Sequence, residues 1–158
     1  MDNLNKYIHG YSDYETNRLN NQAETLADLL HHDSVWDEGS IILEAGCGIG
    51  AQTKIVAPKN KNSNFISIDI SLDSLEQAKS IADSNKIDNV VFQQADIFEL
   101  PFEDEYFDHI FVSFVLEHIP NPLESLNKLK RVLKQKGTIT LIEGDHGSAY
   151  FHPDSEAA

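Results

Sequence analysis

The 158 residues include a single cysteine, Cys47, so an internal disulfide is excluded. One cysteine also gives no support for a structural zinc site, which usually gathers several Cys and His ligands at short spacing. Positive charge is scarce: 12 lysines and arginines face 26 acids, for a formal net charge of −14. That balance speaks against nucleic acid as a partner, because a phosphate backbone needs clustered Lys and Arg. No apolar stretch approaches a bilayer span, since polar residues interrupt every run, so no membrane partner is expected. The opening MDNLNKYIHGYS lacks the basic start and apolar core of a signal peptide, and a cytoplasmic protein is the expectation. Repeats and low-complexity segments are absent as well.

What is present is alternation. Leu19, Ala23, Leu26 and Leu30 give residues 14–32 a helical period. SIILEA (40–45) reads as a short buried strand and runs straight into GCGIG, with a helix expected over 50–57 and stopping near Pro58. NFISIDI (64–70) is a second strand. Ser71 then caps a helix with Leu72, Leu75, Ala78 and Ile81 on one face. VVFQQ (90–94) and FDHIFVSF (107–114) are further strands around a polar loop at 98–106. Asn121, Pro122 and Glu124 form an N-cap, first-turn proline and capping-box acid. Leu123, Leu126, Leu129 and Leu133 supply that helix's stripe, Gly137 ends it, and TITLIE (138–143) is the fifth strand. Lys128, Lys130, Arg131, Lys134 and Lys136 fall on the same predicted helix and read as a solvated face. Strands alternating with helices predict an α/β fold with a parallel sheet.

In such sheets ligands bind at the carboxyl ends of the strands, where the strand order reverses. The first loop there is Glu44-Ala45-Gly46-Cys47-Gly48-Ile49-Gly50, whose glycines permit a tight turn and close backbone approach. Gly46, Gly48 and Ala51 also satisfy the looser dinucleotide fingerprint. Asp69 lies 23 residues past Gly46, near the spacing of an acid that holds ribose hydroxyls. Both features fit NAD and S-adenosylmethionine alike. Charge separates them. Glu44, Asp69, Asp96 and Glu117 would ring the same edge, and unit charges a few ångströms apart interact by about 1–4 kcal/mol at surface-like dielectrics. A pyrophosphate would be repelled, whereas a sulfonium and an ammonium would be welcome. Glu44 has a second possible role in capping the loop N–H groups.

ILEAGCGIG, FISIDIS, QQADIFELPF and FDHIFVSFVLEHIPNP, in this order over about residues 40–143, together resemble the motifs of class I S-adenosylmethionine-dependent methyltransferases. The resemblance implies a three-layer Rossmann-like sandwich, mostly parallel, with strand order 3-2-1-4-5. It implies that Gly46, Cys47, Gly48 and Glu44 line the methionine part of S-adenosylmethionine, that Asp69 bonds the ribose and that Ile70 packs on the adenine. Asp96 would accept from the adenine amino group, with the backbone of Ile97 on the ring, while Ser113 and Phe114 would lie near the sulfonium and the acceptor. YIHGYSDYETNRL looks like the lid of small-molecule members, with Tyr11 covering the cofactor and Arg18 pairing with its carboxylate. Candidate bases are His118, Asp145 and His146, of which His118 follows the fourth strand and is the first choice. His146 and His152 are too few for a metal site, and none is expected.

The expected organisation is a helical lid at 1–39, a cofactor-binding core at 40–143 and a tail at 144–158. The resembled fold continues past its fifth strand with a helix and an antiparallel hairpin, which are expected to be lacking here. The fifth strand would then be an open edge. A fragment of a longer protein is the favoured explanation, ahead of a homodimer across that edge or a tail folded back on it. The expected function is methyl transfer to a small molecule. The alternatives are a non-catalytic module binding S-adenosylmethionine or S-adenosylhomocysteine, and an NAD-dependent oxidoreductase.

Overall fold

The computed structural model describes residues 25–144. Residues 25–31 are helical (α1). The elements that follow are β1 (Ile41–Ala45), α2 (Thr53–Lys59), β2 (Asn64–Asp69), α3 (Leu72–Ser84), β3 (Val90–Gln94), β4 (Phe107–Ser113), α4 (Pro122–Val132) and β5 (Leu133–Ile142). The five strands form one sheet in the order β3-β2-β1-β4-β5, as expected, and each pairing is parallel. The order reverses at β1, so the carboxyl ends of β1 and β4 flank the crevice where such sheets bind ligands.

Side chains alternate across each strand, and the two faces carry two cores. Ile42, Phe65 and Phe111 pack with Val56 and Ala57 of α2, under Trp36. Leu43, Ala45, Ile68, Ile110 and Val112 pack with Leu129 and Val132 of α4. Each fully buried side chain of this size contributes roughly 1.5–3 kcal/mol. The segment after α1 is tied to the first face. The Trp36 N–H donates to Asn60 Oδ1 at 2.8 Å, and Asn60 Nδ2 donates to the Ser34 and Val56 carbonyls at 2.9 Å each. Both predicted caps form: Ser71 Oγ accepts from the Ser74 N–H, and Asn121 Oδ1 from the Glu124 N–H.

Four expectations are corrected. Helix α2 begins at Thr53, because residues 50–52 complete the turn of the glycine loop, and it runs through Pro58 to Lys59. A proline in a last turn removes one helical hydrogen bond, which a seven-residue helix closing at Asn60 tolerates. The loop after β3 contains a 3-10 turn, Ile97–Glu99, capped by Asp96. Leu72 and Leu123 are exposed and lie outside the apolar stripes assigned to them.

The largest correction is at the end of α4. That helix stops at Val132, and residues 133–137, expected to be helical, open strand β5. Leu133 pairs with Phe107 and Thr138 with His109, so a step of five residues on β5 stands against two on β4, a pronounced bulge. Lys134 Nζ pins it to Asp108 Oδ1 at 2.7 Å, and the other oxygen of Asp108 accepts from the Ile41 N–H at 2.9 Å. The basic cluster is therefore divided between helix and strand. Arg131 is also no mere solvated charge: it donates to the Phe102 and Leu100 carbonyls and pairs with Asp104 at 2.6 Å. Among the described residues β5 is an edge of the sheet.

Candidate active site

The glycine loop leaves β1 by a sharp turn. Gly46, Gly48 and Gly50 all have positive φ, at 78°, 53° and 79°. Two of them differ in surroundings. A Cβ on Gly46 would lie 2.6 Å from Val115 Cγ2, so the loop that follows β4 packs directly against it. A Cβ on Gly48 would meet nothing within 4 Å, leaving its backbone open to a ligand. The loop N–H groups are satisfied from β2. Those of Gly46 and Cys47 donate to the Ile68 carbonyl at 2.8 and 2.9 Å, and that of Gly48 to Asp69 Oδ2 at 2.8 Å.

Asp69 is thus placed at the loop by its strand. Its other oxygen accepts from the Ser71 N–H at 2.9 Å. A carboxylate offers about four lone-pair positions, so about two remain for the hydroxyls of a ribose. Ile70, next along the chain, is 67% exposed at the same edge, an apolar surface of the kind a base can cover. Asp96 Oδ1 accepts from the Phe98 N–H at 2.8 Å, and Ile97 is buried beneath it.

Glu44 takes neither the open rim nor the loop N–H groups. It is register partner to Ser67, and its Oε2 accepts from Ser67 Oγ at 2.5 Å and from Thr53 Oγ1 at 2.8 Å. It therefore joins β1, β2 and α2 from inside. Burial raises its carboxyl to about 6, against the two hydroxyl bonds, with the nearby charge of Asp69 adding to the rise. Cys47 is buried, and its thiol lies far above its ordinary value through burial first and then the Glu44 and Asp69 charges. It serves as packing, not as a nucleophile.

On the other side of the crevice, Ser113 ends β4 with its Oγ buried and unpartnered. Phe114 turns out of the strand at φ 54°, and its N–H donates to the Ile142 carbonyl at 2.7 Å. A 3-10 turn, Leu116–His118, follows. His118 Nε2 lies 3.3 Å from Glu117 Oε1. The structure thus gathers Gly46, Cys47, Gly48, Asp69 and Ile70 at one end of the crevice and Ser113, Phe114 and His118 at the other, with Asp96 and Ile97 beyond β3. Tyr11, Arg18, Asp145, His146 and His152 lie outside the described residues. Among the described residues no three His, Cys, Asp or Glu side chains gather as a metal site.

Sequence reasoning missed three residues. Glu143 accepts two loop N–H groups, although an acid just past a strand end was a visible signal of the same kind as Asp69. Val115 seats the loop on Gly46, a long-range contact with no local signature. His31 is fully buried, with its Nε2 2.7 Å from Gln52 Oε1 just past the glycine loop and its ring edge-on to Phe111.

A family model described as a methyltransferase domain matches residues 37–155. The chain belongs to the class I S-adenosylmethionine-dependent methyltransferases. It is 32% identical to the probable methyltransferase ltbC of Aspergillus luteorubrus, over 96% of this chain and 55% of the relative. It is 34% identical to a demethylmenaquinone methyltransferase of Staphylococcus aureus, over 67% of this chain and 44% of that protein. The chain thus spans about half the length of those relatives. Among solved structures it resembles the [4+2]-cyclase SpnF, with a TM-score of 0.68 and 26% identity over 85% of this chain and 48% of that one. A S-adenosylmethionine-dependent methyltransferase from Aquifex aeolicus shares the fold, with a TM-score of 0.63 and 22% identity over 78% of this chain and 72% of that one. The family's cofactor is S-adenosylmethionine, which decides against the dinucleotide reading of the glycine loop.

Proposed function

We propose that the chain carries the cofactor half of an enzyme that methylates a small molecule. The observation that supports this most is the Gly48–Asp69 arrangement: an open left-handed glycine whose N–H is held by a strand-end carboxylate with acceptor capacity to spare. In this reading Gly46, Cys47 and Gly48 shape the wall for the methionine part. Glu44 acts from beneath by fixing that wall, Asp69 takes the ribose, and Ile70, Asp96 and Ile97 take the adenine. Tyr11 and Arg18 belong to the lid.

When bound, S-adenosylmethionine supplies a methyl carbon already activated by its sulfonium, so the chain's task is alignment, exclusion of water and removal of a proton. Ser113 and Phe114 border the acceptor. His118, held beside Glu117, takes the acceptor's proton on its ring. The net charge of −14 argues for a small acceptor rather than nucleic acid. No helix among the described residues is long and apolar enough to cross a membrane. A cytoplasmic site of action remains part of the proposal.

Calorimetry with S-adenosylhomocysteine and with NADH tests the cofactor assignment, and binding of NADH alone would sink it. Transfer of a labelled methyl group into a metabolite extract, with wild type and H118A, tests turnover. A fall in kcat for H118A with cofactor affinity unchanged supports the base, and equal kcat removes it. A second reading has its own support, because a fold neighbour carries the name of a cyclase. In that reading the chain binds the cofactor without methylating, and the extract shows no label.

A further inference from the structure

One acid stands at the end of β5, against the loop that follows β4. Glu143 follows the last residue of β5, and its Oε1 accepts from the Val115 N–H at 3.1 Å and from the Leu116 N–H at 3.0 Å. Its Oε2 is buried without a partner. The N–H groups it takes belong to the loop that has just turned through the left-handed Phe114, a conformation that non-glycine residues adopt only when their surroundings impose it. The same Val115 presses its side chain onto Gly46 so closely that only a glycine fits. The Phe114 N–H is held from β5 as well, by the Ile142 carbonyl. Three consecutive N–H groups of the loop, at 114, 115 and 116, are therefore anchored to the end of β5.

We infer that Glu143 is a positioning residue that clamps the Phe114–His118 loop and, through Val115, sets the glycine loop for the cofactor. The clamp makes the acceptor side and the cofactor side one mechanical unit: a loop freed from Glu143 no longer holds Val115 on Gly46. The inference rests on the reading of this crevice as the S-adenosylmethionine site. It assigns Glu143 no contact with substrate or cofactor. Its charge is incidental to the clamp, since a single carbonyl-type oxygen suffices to accept both N–H groups.

The test uses S-adenosylhomocysteine as probe and needs no acceptor. Amide hydrogen exchange is followed at Val115 and Leu116, with the sheet amides of Ile42 and Phe111 as internal controls for folding. E143A is expected to speed exchange at 115 and 116 selectively and to raise the S-adenosylhomocysteine Kd about tenfold, the scale of one lost hydrogen bond. E143Q keeps the accepting oxygen and should stay within about threefold of wild type on both measures. V115A keeps the clamped backbone but removes the contact with Gly46, so it should weaken binding while exchange at 116 stays slow. If E143A unfolds, E143Q and V115A still decide. E143Q with fast exchange at 115 and 116, or V115A with unchanged Kd, overturns the inference. So does an E143A protein that folds and binds as wild type does. A wild-type chain that fails to bind S-adenosylhomocysteine overturns the functional reading itself, and the coupling with it.

Discussion

The carboxyl ends of β1 and β2 and those of β4 and β5 are built differently. At the first, polar groups close on one another: Asp69 takes two N–H groups, Glu44 two hydroxyls, and the loop N–H groups find Ile68. At the second, Ser113 Oγ and Glu143 Oε2 are buried without partners, and Phe114 holds a left-handed backbone. An unsatisfied buried polar atom costs about 1–3 kcal/mol. The first edge is thus finished within the protein apart from the spare lone pairs of Asp69 and the Ser74 hydroxyl of α3, whereas the second leaves buried polar atoms unpaired on both β4 and β5.

The strongest way to break the contrast is to join the two edges by force. G46A places a Cβ 2.6 Å from Val115 Cγ2 on a residue with φ 78°. The backbone strain of roughly 1–2 kcal/mol and overpacking of roughly 1–3 kcal/mol predict a loss of about 2–5 kcal/mol in urea unfolding. Adding V115A should recover the overpacking share alone, and full recovery would show that the backbone is unstrained. Next, D69A removes the acid that holds the Gly48 N–H and is proposed to take the ribose. The S-adenosylhomocysteine affinity should fall by about 1–3 kcal/mol in calorimetry, and unchanged affinity would take Asp69 out of the site.

The third prediction concerns charge beneath the finished edge. Glu44 titrates at about 6 in the folded chain, above its ordinary 4.5, because burial disfavours the anion. The folded state therefore holds this proton more tightly than the unfolded one. Its stabilisation is complete below about 4.5 and is lost as pH rises through about 6, a difference of roughly 2 kcal/mol at 1.36 kcal/mol per pH unit. E44Q should flatten that limb in a plot of unfolding free energy against pH. A parallel curve would show that Glu44 does not titrate there.

The smallest expected effect comes from His31, whose ring is driven below its usual 6.5 by burial, only partly offset by its bond to Gln52. Its contribution is present above the unfolded value and is lost as pH falls through the folded one, the opposite slope to Glu44. By NMR the His31 ring should remain neutral at pH 6.5. A ring already half charged at that pH would contradict the burial argument.

The sequence made the finished edge legible and the other only in part. Gly46, Gly48 and Asp69 announce themselves because a tight turn and a strand-end acid each leave a short-range mark. Ser71 and Asn121 were readable as caps for the same reason. The α4–β5 junction was not. Leu133 follows Leu129 by one helical turn, so the stripe continues on paper while the backbone has already become strand. Gly137 was read as a helix stop, yet it keeps an ordinary φ. It is glycine because a Cβ would lie 2.6 Å from the Asp108 carbonyl oxygen and 2.5 Å from Leu133 Cδ1. That is tertiary crowding, which no local pattern carries. Glu143 itself was visible as a strand-end acid, but its partners Val115 and Leu116 lie 28 and 27 residues away and were not.

The buried Cys47 has a practical consequence. It is the chain's one thiol, tucked under the loop that the ligand is proposed to grip, with burial first and two acids after it holding it protonated. Alkylation can proceed only from moments when that loop lifts. The rate at which a maleimide labels this protein is therefore a clock for loop opening, and S-adenosylhomocysteine should slow it.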